Sequence, residues 1–356
     1  MVAPSNHSHV PQLDPGRFAK SGAPNIEVLT RLQGRSVLGH RDLDGAEIRQ
    51  LCRLAAHLEA NEIASSHPLD GLLVATAFFE ASTRTRLSFE SAVLRLDGKV
   101  LSVPDGRVTG VAKGESLRDI GHMFNAYADL VVMRHPETSA VHELQEGLER
   151  PLINAGNGSG EHPTQALVDW YALLKWRPTL ARPNVPDDEK LRLGVIGTPG
   201  SMRAVKSFLF AALHFQPAIR SLTVVSAMAD PLGADLAEAL ESSSVPVEVA
   251  HDPEAVIGEL DVIYINSIAF LGDSYRELSA NFRLDAQRDL ANGSVILHPL
   301  ARKAELDESL DATSHNLYFA QAAGAVYVRQ ALLICLLGRL GSLPPAIFNP
   351  ILAEES

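Results

Sequence analysis

Two periods of apolar residues alternate along this chain. Short unbroken runs, at Leu72 to Phe79, Val100 to Val103, Leu130 to Met133 and Pro151 to Ala155, read as strands buried on both faces. Between them apolar positions recur at three- and four-residue spacing. Ile48, Leu51, Leu54, Ala55 and Leu58 predict a helix that starts at Asp42 to Asp44, and further helices are predicted from Leu87 and over Leu117 to Tyr127. The alternation resumes after residue 190, with strands expected at Leu191 to Gly197, Leu222 to Ser226, Val247 to Val249, Val262 to Ile265 and Val295 to Leu297. Strands separated by helices imply parallel sheets joined by crossovers. The predicted class is α/β: two Rossmann-like domains, each a parallel sheet flanked by helices. A Pro-rich stretch, Arg177 to Asp188, marks the crossing between domains of about 35–180 and 190–325. Residues 1–34 are expected to be a flexible extension with at most one short helix, around Ile26 to Leu32.

Composition narrows the partners. At 356 residues, 46% hydrophobic and 21% charged, the chain is long enough to bury two cores. A formal charge of −12 argues against nucleic acid, so an anionic substrate needs a local basic cluster. Cys52 and Cys335 lie in apolar helical patterns and are expected to be buried thiols, not a disulfide or a metal site. The first 34 residues hold no apolar signal core, and no run of about 18 apolar residues stands out. A cytoplasmic location with no membrane partner is the expectation.

The chemistry concentrates in Glu80-Ala81-Ser82-Thr83-Arg84-Thr85-Arg86, where a buried strand runs into a helix. Backbone N–H groups, the hydroxyls of Ser82, Thr83 and Thr85 and the Arg84 fork would surround the helix N-terminus, an arrangement that suits a phosphate. A Ser/Thr cap beside two surface arginines would give the same letters. Two other glycine patterns fail as nucleotide sites. Gly106, Gly110 and Lys113 lack the closing Gly-Lys-Ser/Thr, and Gly194, Gly197 and Gly200 have the wrong spacing for a dinucleotide. No cofactor and no metal are expected.

Glu-Ala-Ser-Thr-Arg-Thr-Arg-Leu-Ser-Phe-Glu resembles the carbamoyl-phosphate loop of the aspartate/ornithine carbamoyltransferase family, and Glu-Ala before Ser82 resembles its aspartate branch. His162-Pro163-Thr164-Gln165, Arg134-His135-Pro136 and His298-Pro299-Leu300 are similar to that family too, over about residues 35–342. The resemblance implies a carbamoyl-phosphate-binding first domain and an acceptor-binding second one. It also implies a C-terminal helix, 326–342, that returns to the first domain. Ser82, Thr83, Arg84, Thr85 and Arg134 would hold the phosphate of carbamoyl phosphate. Thr85, Arg134 and His162 would polarise its carbonyl, with Gln165 and the backbone carbonyls of Pro299 and Leu300 on its NH2. Lys113 would reach a neighbour's site in a homotrimer with shared active sites, and Arg203 would hold the acceptor's α-carboxylate. Asn157 stands where the family often has Asp.

One segment departs from the pattern. Aspartate carbamoyltransferases carry Arg and Gln after the strand at Val262 to Ile265, to grip a second carboxylate; here those positions are Ser267 and Ala269. A carboxylate buried there would lack its partner. The expected acceptor is therefore a small amine other than aspartate. Aspartate held by altered contacts, and a non-catalytic homologue, are the alternatives.

Overall fold

The computed structural model describes residues 13–61, 66–106, 109–266 and 282–349. They form two compact units, 14–178 with 324–349, and 179–323.

The first unit begins with helices α1 (Pro15–Ala19), α2 (Ile26–Thr30) and α3 (Gly45–Ala60). Asp14, Asn25 and Asp44 cap them by accepting from backbone N–H groups. Residues 14–34 are thus not a flexible extension. Phe18, Leu29 and Leu32 are fully buried, and the Gly34 N–H donates to the Leu336 carbonyl at 2.9 Å. Their apolar positions are too few per element to show a period. Strands β1 (Leu73–Phe78), β2 (Lys99–Val103), β3 (Leu130–His135) and β4 (Leu152–Asn157) alternate with α4 (Thr83–Arg95), α5 (Leu117–Tyr127), α6 (Ala140–Gly147) and α7 (Pro163–Trp176). The sheet is parallel, in the order β2-β1-β3-β4. Val131, Met133, Leu144 and Leu152 lie in the core on one face. The chain moves from β1 to one side for β2 and to the other for β3. Such a reversal opens a crevice at the strands' C-terminal ends.

The second unit holds β5 (Leu191–Ile196), α8 (Arg203–Ala212), β6 (Ile219–Val225), α9 (Ala234–Glu241), β7 (Val247–Ala250), β8 (Val262–Ile265) and β9 (Val295–Leu297). Its parallel order, β7-β6-β5-β8-β9, reverses between β5 and β8. The glycines after and within β5 serve packing. A Cβ on Gly194 would fall 2.2 Å from Leu260 Cδ1, and one on Gly200 would fall 2.6 Å from the Leu232 carbonyl oxygen. The Pro-rich stretch from Pro178 forms 3-10 turns and from Thr179 belongs to this unit.

Helix α10 (Tyr318–Leu336) starts in the second unit and from Gly324 belongs to the first. With 19 residues and a mean hydropathy of 1.4 it is long and apolar enough to cross a bilayer, contrary to the expectation from sequence. Two-thirds of it (67%) is buried inside the protein, as in a core helix. Gln321, Arg329 and Gln330 interrupt the apolar run, yet its mean hydropathy stays at 1.4. Both cysteines are buried free thiols.

Candidate active site

Three segments meet at the β1/β3 end of the first sheet. Phe78 and Arg134 are register partners, and the Phe79 N–H donates to the Arg134 carbonyl at 2.8 Å. His135 pairs with Asn157 on β4, and the Phe79 and His135 rings stand 5.3 Å apart. The loop 79–82, the end of β3 and the loop 157–162 therefore share one edge. From that edge α4 and α7 both start.

Ser82 is the N-cap residue of α4, yet its side chain makes no capping hydrogen bond, and the first turn holds no acid. The cap-only alternative is not what the chain adopts. Orphan N–H groups and the Thr83 and Arg84 side chains face an unneutralised helix dipole. Thr85 is buried while Arg84 is exposed. Partial burial lowers the Arg84 pKa, and among the described residues no carboxylate pairs with it. Arg86 is different. Its guanidinium lies 3.4 Å from Glu90, which also accepts from Ser102 Oγ at 2.7 Å and Thr76 Oγ1 at 3.0 Å. The second arginine of the loop is thus committed to the scaffold.

Arg134 comes off the end of β3 with its guanidinium 3.1 Å from Glu80. His162 is buried at the N-cap of α7 with Pro163 at the first helical position, and Thr164 Oγ1 stands 3.4 Å from its Nδ1. Gln165, half-buried one turn in, donates through Nε2 to Asp169 Oδ1 at 2.7 Å. Asn157 fixes the loop before His162. Its Oδ1 accepts from Asn154 Nδ2 and from the Glu161 N–H, both at 2.9 Å, and its Nδ2 donates to the Thr138 carbonyl at 2.6 Å. An aspartate could not make that last donation, which accounts for the amide here. Glu161 holds His40 by both its backbone N–H and its Nδ1, each at 2.8 Å.

Lys113 ends a 3-10 turn, Gly110–Lys113, on an exposed loop after β2. No hydrogen bond or ion pair ties it to the other candidates among the described residues. In the second unit, Arg203 opens α8, downstream of β5. Pro299 and Leu300 follow β9, where the Leu300 N–H donates to His298 Nδ1 at 2.8 Å. Ser267 and Ala269 lie outside the described residues. Among the described residues no group of His, Cys, Asp and Glu could hold a metal ion.

Residues 35–175 match the carbamoyl-phosphate-binding domain of the aspartate/ornithine carbamoyltransferases, and residues 189–336 match their Asp/Orn-binding domain. The chain belongs to the aspartate/ornithine carbamoyltransferase family. It is a carbamoyltransferase by class. Among its relatives is the aspartate carbamoyltransferase catalytic subunit of Thermofilum pendens, 36% identical over 306 residues, which are 84% of this chain and 94% of the relative. The same subunit of Picrophilus torridus is 34% identical over 86% of this chain and 99% of its own. The fold is similar to that of Trypanosoma cruzi aspartate transcarbamoylase in complex with carbamoyl phosphate and aspartate. That structure has a TM-score of 0.78 at 28% identity, covering 90% of this chain and 99% of that one. A complex of the same enzyme with carbamoyl aspartate and phosphate gives a TM-score of 0.77 at 29% identity, over 87% of this chain and 98% of that one.

Within this carbamoyltransferase, sequence reasoning missed the groups that orient the candidates. The pairings of Glu80 with Arg134, Glu161 with His40, Asp169 with Gln165 and Glu305 with His298 were not anticipated. Only Asp169 carried a local signal, four residues after Gln165 on one helix.

Proposed function

We propose that this protein transfers the carbamoyl group of carbamoyl phosphate to aspartate and releases phosphate. The observation that carries the donor half is the uncapped N-terminus of α4. There Ser82, Thr83, Arg84 and Thr85 adjoin Arg134 at the switch point of a parallel sheet. The near-full-length similarity to aspartate carbamoyltransferase catalytic subunits supports aspartate as acceptor.

Carbamoyl phosphate is a mixed anhydride, so neither a protein nucleophile nor a metal is needed. The acceptor's neutral amine attacks the carbonyl carbon, the C–O bond to phosphate breaks, and phosphate takes the amine's proton. Ser82, Thr83, Arg84, Thr85 and Arg134 neutralise the leaving phosphate. Thr85, Arg134 and His162 stabilise the developing oxyanion, and Gln165 orients the carbamoyl NH2. In the second unit, Pro299, Leu300 and Arg203 keep the roles that the family resemblance implies for them. Lys113 serves a neighbouring subunit's site in a homotrimer. An apolar surface supports that assembly. Leu87 and Leu94 on α4 and Leu101 on edge strand β2 are exposed just ahead of the Lys113 loop.

Ser267 and Ala269 favour a second reading, in which the acceptor is an amine with a single carboxylate. The test is phosphate release by the full-length protein with carbamoyl phosphate and a panel of amines, with each product weighed by mass spectrometry. The expected result is carbamoyl-aspartate in step with phosphate. Turnover confined to another amine would establish the second reading, and turnover with none would end the transferase assignment.

A further inference from the structure

Gln165 and Asp169 lie one turn apart on α7, and the Gln165 amide NH2 donates to Asp169 Oδ1 at 2.7 Å. Asp169 is fully buried. An ionised carboxylate only accepts, so the half of the amide turned toward Asp169 has to be its NH2. The carbonyl oxygen Oε1 must then point the other way. The buried carboxylate has its counter-charge in Arg329 of α10. Burial pulls the Arg329 pKa down to about 9, and Asp169 opposes that pull. The Arg329 guanidinium also sits 4.7 Å over the ring of Phe89 on α4, so one buried cation stacks on α4 and acts electrostatically on Asp169 of α7.

We propose that Asp169 is a positioning residue for carbamoyl transfer: it holds the Gln165 amide with Oε1 presented as an acceptor to the carbamoyl NH2. This rests on the reading that Gln165 meets the carbamoyl amine. Two effects combine. An anchored amide has fewer orientations to lose on binding, and donation to a carboxylate polarises the amide so that its oxygen accepts more strongly.

Acetyl phosphate separates this role from a structural one, because a methyl group replaces the NH2 and leaves the phosphate unchanged. Affinities of the full-length protein for both ligands are measured by calorimetric titration at low temperature. Wild type should prefer carbamoyl phosphate. Gln165→Ala should narrow that preference about 10- to 100-fold, and Asp169→Asn about three- to tenfold, with acetyl phosphate binding unchanged in both. The Gln165→Ala/Asp169→Asn pair should narrow it no further than Gln165→Ala alone. If Asp169→Asn fails to fold with Arg329 left unbalanced, Asp169→Asn/Arg329→Gln carries the same expectation. Equal weakening toward both ligands, or an unaltered preference, overturns the positioning role. An unaltered preference in Gln165→Ala overturns the Gln165 assignment itself.

Discussion

Arg134 leaves the C-terminal end of β3 with its guanidinium 3.1 Å from the Glu80 carboxylate, on the loop that leads from β1 into α4. The two residues stand on neighbouring strands' exits, so the ion pair clamps one segment of the site against another. Arg134 is also mostly buried, at 12% side-chain exposure. A planar fork can hold Glu80 with one edge and offer the other to an oxyanion, whereas an ammonium is a point charge. Arg134→Lys should therefore keep the fold and lose about 2–3 kcal/mol of transition-state stabilisation, roughly 30- to 150-fold in kcat/KM for carbamoyl phosphate. Activity within threefold of wild type would remove Arg134 from the reacting carbonyl.

Arg84 tests the anion site from the other side. It is exposed and without a carboxylate partner among the described residues, so its removal should cost little stability. Arg84→Ala should instead lose about 2–4 kcal/mol of transition-state stabilisation. A parallel loss of inorganic phosphate affinity, read by calorimetry, is expected. Unchanged phosphate binding would count against the donor assignment.

The architecture was legible in the sequence because buried parallel strands are unbroken apolar runs and their crossovers keep helical spacing; β1 to β9 fall where those runs lie. The strand-to-helix turn at 79–82 was legible because the apolar run of β1 gives way there to helical spacing. Of residues 14–34 only the short helix at Ile26 to Leu32 was legible, where α2 lies; α1 and the burial of this segment were not. Phe18, Leu29 and Leu32 sit on helices of five residues each or just beyond one, too short for a period to develop. Nor were the orienting partners, since Glu80 meets Arg134 and Glu161 meets His40 only through the fold, at separations of 54 and 121 residues.

The buried pair His298 and Glu305 should make stability depend on acid pH. His298 Nδ1 accepts from the Leu300 N–H, so Nε2 carries the proton and donates to Glu305 at 3.0 Å. Burial alone would raise the Glu305 carboxyl; the His298 hydrogen bond and the Lys303 N–H outweigh it and hold the group below its ordinary value. A depressed carboxyl contributes stability above its unfolded value, near 4.3, that is lost as pH falls through the folded value. Urea unfolding between about pH 5 and 3 should accordingly steepen for wild type and flatten for Glu305→Gln. Parallel curves would mean the carboxylate is not the linked group.

The proposed sharing of sites between subunits is open to a complementation experiment. Lys113→Ala and Arg84→Ala chains should each be inactive for different reasons, Lys113 lying on an exposed loop and Arg84 at the α4 turn. In mixed oligomers some interfaces combine an intact Lys113 with an intact Arg84. Activity should reappear on mixing and follow the fraction of hybrids. A demonstrated hybrid without recovery would argue against sharing, and a monomeric wild type would exclude it.

The acceptor side turns on positions 267 and 269. If aspartate is the acceptor, its second carboxylate binds without the guanidinium that relatives place after β8, because Ser267 and Ala269 offer at most one hydroxyl. A hydrogen bond to a charged group contributes about 1.5–3 kcal/mol. Replacing Ser267 with Arg and Ala269 with Gln should then raise kcat/KM for aspartate by about 10- to 100-fold through a lower KM, leaving carbamoyl phosphate affinity unchanged. The discriminating control is an acceptor with the same α-amino acid head and a neutral side chain, such as alanine. Its kcat/KM should not rise, since the new guanidinium has no anion to meet. A gain for both acceptors would place the effect in the loop's order and not in carboxylate recognition. A loss for aspartate would show that its second carboxylate is already gripped by other residues, which the inserted arginine displaces.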